Sequence, residues 1–594
     1  MQNKCPRCKE KLEIMKLESL VNELILELFE FFNAIQLLRA FHGLNSRFDT
    51  LLDVHFRAYS LDFRSVSKHD FDIFCQQQLP SLIDRVASIC LSDDDETPNL
   101  PDHFLSYNLT INIFTNLRSL ALYGLHSTIT VQKFILDCRK LPCLTHLKVT
   151  DCRFKVQKEF IRFINTVWHL TKLIHCHFDN IFESTIRFIE PKEPSLSIEH
   201  FSITNTTCQL NGLTRLLKQT PHLRRLYVSI APNDDNDDER MQVIHSSITT
   251  MTLLFHHSIE KMTNFLKIIP NLLRLTIDTT NIYLNGQQWQ QIIVNQLQKL
   301  KIFRFRMIFS FPVNNSDNNN NIEKQIDLLL DTFRTPFWLD EHHWFVRCDW
   351  NPQTIDNISL YTVPYAFDTL SIHHSTQSKW TCPNDSNYWS YNRVQHFWYQ
   401  NDLFQDLNVF LARFPNIHHL RIRLPVNDNF WSVIPTLHRL TSLDLSLRQS
   451  RTINQINALL DRTPHIYSLT IEPSLFSRIA TLENFNKSIR RLNFFELSGS
   501  YFDNVQCSLL VNSSLGHQCE VLVIGVEHRS NAYFLITHMS NLRVLIFRCR
   551  DDKWHENGSS SARDELLSWL KNRLPSTYSI SRNVKIAFKI RVWK

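Results

Sequence analysis

The hexapeptide LRSLAL, residues 117–122, decides how this chain is built. Its apolar residues Leu117, Leu120 and Leu122 return at matching positions in LTHLKV (144–149), IEHFSI (198–203) and LRRLYV (223–228). The same phase runs on through Ile248-Met251-Leu253, Leu272-Leu275-Ile277 and Leu297-Leu300-Ile302. From 198 to 223, 248, 272 and 297 the steps are 25, 25, 24 and 25 residues, a regularity that chance does not supply. Alternation at the end of each hexapeptide predicts a short strand. Apolar residues at helical spacing in Val131–Arg139, Leu210–Lys218, Met262–Ile268 and Ile453–Asp461 predict helical returns, several closed by a proline, as at Pro142, Pro221, Pro270 and Pro464. One such unit cannot bury its own apolar face, so the units must stack, with parallel strands on a concave side and helices on the convex side.

The array resumes with Ile417-Leu420-Ile422, Leu440-Leu443-Leu445, Ile466-Leu469-Ile471 and Ile489-Leu492-Phe494, and Leu522-x-Ile524 and Leu542-x-x-Leu545-x-Phe547 carry it nearly to the end. The pattern resembles the leucine-rich repeat in an irregular form, because no asparagine follows each strand. Alternation places Lys148, Tyr227, Lys301, Arg421 and Arg423 on the concave side, and these are the candidates for contacting a target. The surface so composed carries no dominant sign of charge and suits a protein or peptide better than a polyanion. Arg421 and Arg423 lie two apart on one strand and point the same way, fit to grip a phosphate or carboxylate; two solvated arginines at a sheet edge is the competing reading.

Ahead of the array, LESLVNELILELFEFFNAIQLLRAFHGLNSRFDTLL (17–52) compresses three short helices into few residues. With Asn22 as a possible N-cap, Glu23–Phe32 places Leu24, Leu28, Phe31 and Phe32 on one face and Ile25 and Phe29 on another. That is more apolar surface than so small a unit can bury, so one face is expected to meet another protein. Leu37, Leu38, Phe41, Leu44, Phe48 and Leu51 are expected to point inward from the other two helices.

The run Leu20-Val21-Asn22-Glu23-Leu24, with Ile35-Gln36-Leu37-Leu38-Arg39-Ala40 and Asn45-Ser46-Arg47-Phe48, resembles an F-box. Val21 stands where that family usually has proline. The resemblance implies docking on a Skp-family adaptor and, through it, on the cullin scaffold of a ubiquitin ligase. Matched to the family motif, Leu20, Val21, Leu24, Leu28 and Leu37 are the expected adaptor face, with part of the set free to hold the bundle together instead.

Length and composition bound the alternatives. At 594 residues the chain is too long for one compact core, which agrees with a repeat array. A net charge of +6 spread over that length gives no support for nucleic-acid binding, and no apolar run is long enough to suggest a membrane span. The start lacks the apolar segment of a secretory leader, and the 14 Cys sit mostly inside apolar runs, so a cytoplasmic or nuclear location is expected. Only 8 Gly occur, without a phosphate-binding loop, and no nucleophile elbow, zincin or kinase signature is found. No enzyme, cofactor or metal is therefore expected. Cys5-x-x-Cys8 is half of a zinc knuckle without a matching second pair, and His342, His343, Cys348 and Cys382 lack a spacing that demands a metal.

Two acidic stretches, Ser92–Glu96 and Asn233–Glu239, lack the geometry of a calcium loop and are expected to be solvated turns. Between the repeat blocks, Asn314–Asn321 is low-complexity, and the segment after it holds half of the 12 Trp (Trp338, Trp344, Trp350, Trp380, Trp389 and Trp398). Two readings stay open for that segment, continuation of the array in long units or a partner-binding surface. A helix from Ala562 to Leu574, capped by Ser561, and strands at Tyr578–Ile580 and Val584–Trp593 are expected to close the last layer.

The expected order is a tail (1–15), F-box (16–60), linker (61–100), first repeat block (101–310), irregular segment (311–411), second block (412–555) and cap (556–594). The fold class is α/β, a leucine-rich-repeat solenoid preceded by a three-helix F-box bundle. The expected function is recognition of a protein target for a cullin-type ligase; a non-catalytic scaffold outside the ubiquitin system is the alternative.

Overall fold

The computed structural model describes residues 17–594 apart from 33, 56–58, 183–190, 232–246, 312–321, 353–356, 373–376, 384–389, 400–413, 427–429, 432–433, 435–436, 448–452, 474, 477–485, 495–500, 553–563 and 584–587. The Cys5/Cys8 pair, the Asn233–Glu239 and Asn314–Asn321 stretches, Trp389 and Ser561 thus lie outside the described residues. The chain is α/β, with two mostly parallel sheets backed by helices in a solenoid-like arrangement.

Ten parallel strands open the first sheet: β1 (Tyr59–Asp62), β2 (Val86–Ser92), β3 (Ser119–Tyr123), β4 (His146–Thr150), β5 (His175–Asp179), β6 (His200–Cys208), β7 (Arg225–Ile230), β8 (Thr250–Phe255), β9 (Arg274–Thr280) and β10 (Ile302–Phe309). Alternate residues are buried against the helical returns, as Leu120 and Leu122 on β3, while β2, β7 and β9 bury several consecutive residues toward their ends. The return Thr128–Cys138 shows the local logic. Ser127 caps it by accepting from the Thr130 N–H, and Val131, Phe134, Ile135 and Cys138 face the sheet. Asn285 and Gln288 form a reciprocal capping box on the return Gly286–Gln296.

Two sequence expectations change here. The stretch read as linker (61–100) contributes half of β1 and all of β2, so the array begins earlier than its leucine spacing shows. The last unit of the first block is also out of phase. Phe303, not Leu300, pairs with Leu275, and Phe305, not Ile302, pairs with Ile277; Phe303, Phe305, Met307 and Phe309 face the core while Ile302 stays 37% exposed. Side chains alternate, so the expected phase would have turned Arg304 and Arg306 into the core. Lys301 consequently precedes β10 and does not stand in its concave row.

After β10 the polarity reverses. β11 (Phe345–Trp350) and β12 (Ile358–Val363) are antiparallel, with β12 against β10. Trp338, Trp344 and Trp350 are buried, and Trp338 and Trp344 lie among Phe303, Phe305 and Phe333, so these three tryptophans serve the core, but beside antiparallel strands and not in a continuation of the parallel array by long units. The second sheet starts at β13 (Thr369–Ile372), well before the expected 412, while β14 (Gln377–Trp380) completes the first. It continues through β15 (His396–Tyr399), β16 (His419–Leu424), β17 (Ser442–Leu447), β18 (Ser468–Ile471), β19 (Arg491–Asn493), β20 (Val521–Val526) and β21 (Val544–Cys549). Two antiparallel strands, β22 (Ser579–Arg582) and β23 (Ile590–Trp593), finish it. The terminal helix is Glu565–Lys571, capped by Asp564. Arg306 joins the two arrays, pairing with Asp278 at 2.5 Å and donating to the Tyr365 hydroxyl at 2.8 Å and the Thr369 carbonyl at 3.2 Å.

The two ends of the chain meet. On β20 and β21, Leu522, Ile524, Leu545 and Phe547 face the second core, while the alternate residues Val521, Val523, Val544 and Ile546 join Trp593 in the first. The Trp593 indole donates to the Val66 carbonyl at 3.1 Å, and the Lys68 N–H donates to the Lys594 carbonyl at 2.8 Å. The acidic turn after β2, expected in solvent, is the polar half of this junction. Glu96 accepts from Arg543 at 2.7 Å, Arg491 at 3.2 Å, the Tyr467 hydroxyl at 3.0 Å and Ser65 at 2.5 Å, and Arg591 pairs with Asp93 at 2.9 Å. Burial alone would raise the Glu96 carboxyl, but the two guanidinium charges and the Ser65 hydroxyl outweigh it and hold it below the ordinary glutamate range. Gly124, at φ +65°, lets the turn approach; a Cβ there would sit 3.2 Å from the Asp93 carbonyl oxygen. Replacing Glu96 by alanine leaves the largely buried Arg543 only Glu520 at 3.5 Å and Arg491 only Asp95 at 3.7 Å as ion-pair partners among the described residues, and a loss of about 2 to 3 kcal/mol in urea-unfolding stability is expected. An exposed pair such as Arg64–Asp62 is expected to cost less than about 1 kcal/mol when broken the same way.

Candidate protein-binding surfaces

The N-terminal unit consists of α1 (Asn22–Phe29), α2 (Ala34–Phe41) and α3 (Ser46–His55). Its interior is built on Ile25, Phe29, Ile35, Leu38, Phe41 and Phe48, with Phe41 packed on Phe29 at 5.0 Å and on Phe48 at 5.2 Å. Asn22 does not cap α1; Val21 occupies that position, without a side-chain cap. Arg47 organises the approach instead, donating to the Asn22 side chain at 2.9 Å and to the Glu18 and Leu20 carbonyls at 2.5 Å each.

The five residues expected to face an adaptor divide. Val21 is 56% exposed and Leu24 49%, whereas Leu20 and Leu28 are partly buried against the core. Leu37 is fully buried and belongs to the interior, because its place on α2 is one turn from Phe41 on the same face. Leu44, expected inward, is exposed in the turn between α2 and α3, and Phe31 is 85% exposed just past α1. Val21, Leu24 and Phe31 form an exposed apolar row along α1 and its two ends, with the half-buried Leu28 between Leu24 and Phe31.

The concave face of the first sheet holds a cavity of about 480 Å³ lined by residues of β3 to β8. Lys148 and Tyr227, two of the expected target contacts, lie in it. Lys148 extends its ammonium over the Tyr123 ring, 5.1 Å from the centroid. Between Lys148 and Tyr227 stand side chains the sequence reading passed over. His146, His175 and His200 occupy equivalent positions on β4, β5 and β6, and their rings stack at 4.1 and 4.2 Å, each pair within 12° of parallel. Arg225 follows in the same register on β7, and His177 projects from β5. Burial, then the charges of His146, His200 and Arg225, push the His175 imidazole down to about 4; burial first, then Arg225, lowers His200 as well.

Arg421 and Arg423 are both exposed on β16 and share one face, as the spacing predicts. Arg421 stands opposite Trp398 of β15, which is itself exposed, and opposite Asp444 of β17. This patch is on the second sheet, apart from the residues lining the cavity on the first. Among the described residues no group of three or more His, Cys, Asp or Glu is placed to hold a metal. Cys348 is fully buried, and His342 stacks on Trp344 at 4.1 Å. No described helix is long and apolar enough to cross a membrane.

A scan against protein-family models finds none that matches this chain, and a search of curated proteins likewise returns no match. Fold and surface thus define an α/β chain of two mostly parallel sheets backed by helices, which among the described residues presents an exposed apolar row at α1 and a cavity on the first sheet.

The histidine stack carries a pH signature. An unfolded histidine takes up its proton near 6.5, whereas folded His175 does so only near 4, so between those values the unfolded chain holds the extra proton. This contribution is complete above about pH 6.5 and is lost as the pH falls toward 4. Urea midpoints measured from pH 7 down to pH 4.5 are expected to fall less steeply for His175→Phe than for the unsubstituted chain.

Proposed function

We propose that this chain is a substrate receptor of a cullin-type ubiquitin ligase, with the N-terminal unit acting as an F-box on a Skp-family adaptor and the array, as irregular leucine-rich repeats, holding a protein target. The observation that carries this reading is the apolar stripe of α1. One side of the helix is buried through Ile25 and Phe29, and the other offers Val21, Leu24 and Phe31 to solvent. An uncovered apolar row beside a closed core is what a docking helix requires. The chain performs no covalent step in this mechanism; it raises the local concentration of the target near a charged conjugating enzyme. A scaffold outside the ubiquitin system would use the same concave face, and adaptor binding separates the two readings.

Calorimetric titration of the full chain with a Skp-family adaptor is expected to show binding that Leu24→Asp with Phe31→Asp abolishes. Both positions are exposed, so stability is expected to move by no more than about 0.5 kcal/mol per site. Leu37→Asp, at a fully buried position, is expected to unfold the unit. Absence of adaptor binding by the folded, unsubstituted chain would move the assignment to the scaffold.

A further inference from the structure

The mild net charge of the chain hides a local concentration of cations. The returns that follow β3 and β4, Thr128–Cys138 and Gln157–Trp168, lie side by side, and the Gln132 amide donates to the Glu159 carbonyl at 3.4 Å. Each buries one face, the first through Val131, Phe134 and Ile135 and the second through Phe160, Phe163 and Ile164. Helical spacing puts Ile129, Lys133 and Leu136 on the opposite side of the first return, and Lys158, Arg162 and Asn165 on the opposite side of the second. Lys133 and Arg162 hold the same place in their helices, six residues after the capping positions Ser127 and Val156. Ile129 is 77% exposed, and Leu136 and Val156 are about half exposed. The described ion pairs of this region, Arg153–Asp151 and His169–Glu193, use other side chains, so the exposed Lys133, Lys155, Lys158 and Arg162 keep their charge for a partner. The one carboxylate of each return, Asp137 and Glu159, is half-buried.

We propose that the outer face of these two returns docks on an anionic lipid bilayer, with the basic side chains at the level of the headgroups and Ile129, Leu136 and Val156 in the layer beneath. The pattern of the patch selects this occupant. Every exposed aliphatic has a cation within about one turn: Ile129 has Lys133, Leu136 has Lys133 and Lys140, and Val156 has Lys155 and Lys158. A folded acidic protein is met by a continuous apolar centre inside a polar rim. A headgroup layer over acyl chains rewards interleaving instead, because a long basic side chain lays its methylenes beside apolar groups and keeps its charged head in water. A nucleic acid has no use for the three aliphatics.

Backbone direction adds to the side chains. Because β3, β4 and β5 are parallel, the two returns run the same way, and both N-terminal ends lie at the edge that carries Ile129, Val156 and Lys158. The positive ends of the two helix dipoles thus reinforce the lysines there. Each basic residue held against an anionic surface favours the bound state by about fivefold, a term that added salt screens, whereas the contribution of the aliphatics is not screened. The face lies on the helical side of the first array, away from the strand residues that line the cavity and outside the three-helix unit. The inference therefore goes beyond the receptor reading and rests on neither half of it.

The test is co-sedimentation of the full chain with vesicles of phosphatidylcholine alone and of phosphatidylcholine containing about one third phosphatidylserine. Partitioning is expected to be at least about tenfold stronger onto the anionic vesicles, and Lys133→Gln with Lys158→Gln and Arg162→Gln to remove that preference. Ile129→Ser with Leu136→Ser is expected to weaken partitioning severalfold and to leave the remaining binding more steeply dependent on salt. Equal partitioning onto the two kinds of vesicle, or a preference that survives the triple substitution, overturns the proposal. An unchanged affinity in the Ile129 and Leu136 variant overturns insertion of the aliphatics. A soluble poly-glutamate peptide that displaces the chain from anionic vesicles at equal concentration of charge gives the face to an acidic protein and overturns the bilayer as its occupant. All five substituted side chains are exposed, and circular dichroism confirms folding before each measurement. Adaptor binding by the same variants stays intact whatever the vesicles do, so failure here and failure of the receptor reading are distinguishable.

Discussion

Glu96 holds together parts of the chain that no neighbour-to-neighbour stacking would join. In an array of repeats each unit touches only the units beside it, and stability is close to a sum of local terms. Here one carboxylate accepts from Ser65, Tyr467, Arg491 and Arg543, and its neighbour Asp93 pairs with Arg591. Apart from the Ser65 bond, these contacts span hundreds of residues of chain, so the entropy of closing the loop must be met before any of them forms. Arginine suits the task, because a planar guanidinium serves several acceptors at once and is less costly to strip of water than an ammonium. The ion pairs alone would return little against their desolvation. The apolar half of the junction, Val521, Val523, Val544, Ile546 and Trp593 against the first core, supplies the driving force. The ion pairs then fix which surfaces meet.

That junction explains a change of composition along the concave row. On β4 to β7 the row is polar, with His146, Lys148, His175, His177, Ser202 and Tyr227. On β20 and β21 it becomes valine and isoleucine, and both faces of the strands are buried. A parallel strand covered on both sides reads as a continuous apolar run, and VLVIGV and VLIF do so. One face of these last parallel strands is thereby covered by the first core, while β23 and β22 pair along the edge of β21.

The repeat and its period were legible in the sequence because leucine, isoleucine and valine at fixed spacing have one physical use, a row facing a core. What was hidden follows from substitutions that keep the physics and break the spelling. Leu173-x-x-Cys176-x-Phe178 is a full unit whose inner positions hold cysteine and phenylalanine. Passing over it concealed His175 and with it the stack. The phase at β10 was hidden because LQKLKIFRFRMIF offers two alternating apolar sets, and only the need to keep Arg304 and Arg306 out of the core selects one. The acidic turn at 93–96 reads as solvent-facing from composition alone, since its arginine partners lie roughly 400 to 500 residues away. Of the candidate contacts, Lys148 and Tyr227 converge on one cavity and Arg421 and Arg423 share a face elsewhere. Alternation assigns a side to each residue, but it does not say which strands curve together.

Closure also bears on how a receptor of this kind would work. On the proposed reading the chain does one thing, holding a target at a set distance from an adaptor, and a floppy connection would dilute that effect. The segment behind the three-helix unit is pinned from both sides. Leu61 and Phe63 are buried beneath it, and Val66 and Lys68 are bonded to the last two residues of the chain. A shift of β23 against the first core would have to break the Trp593 and Lys594 contacts together with the Arg591–Asp93 pair. The described part of the three-helix unit shares one apolar core with the start of the array, Ile25, Phe29 and Leu38 belonging to the same cluster as Leu61, Phe63 and Phe71.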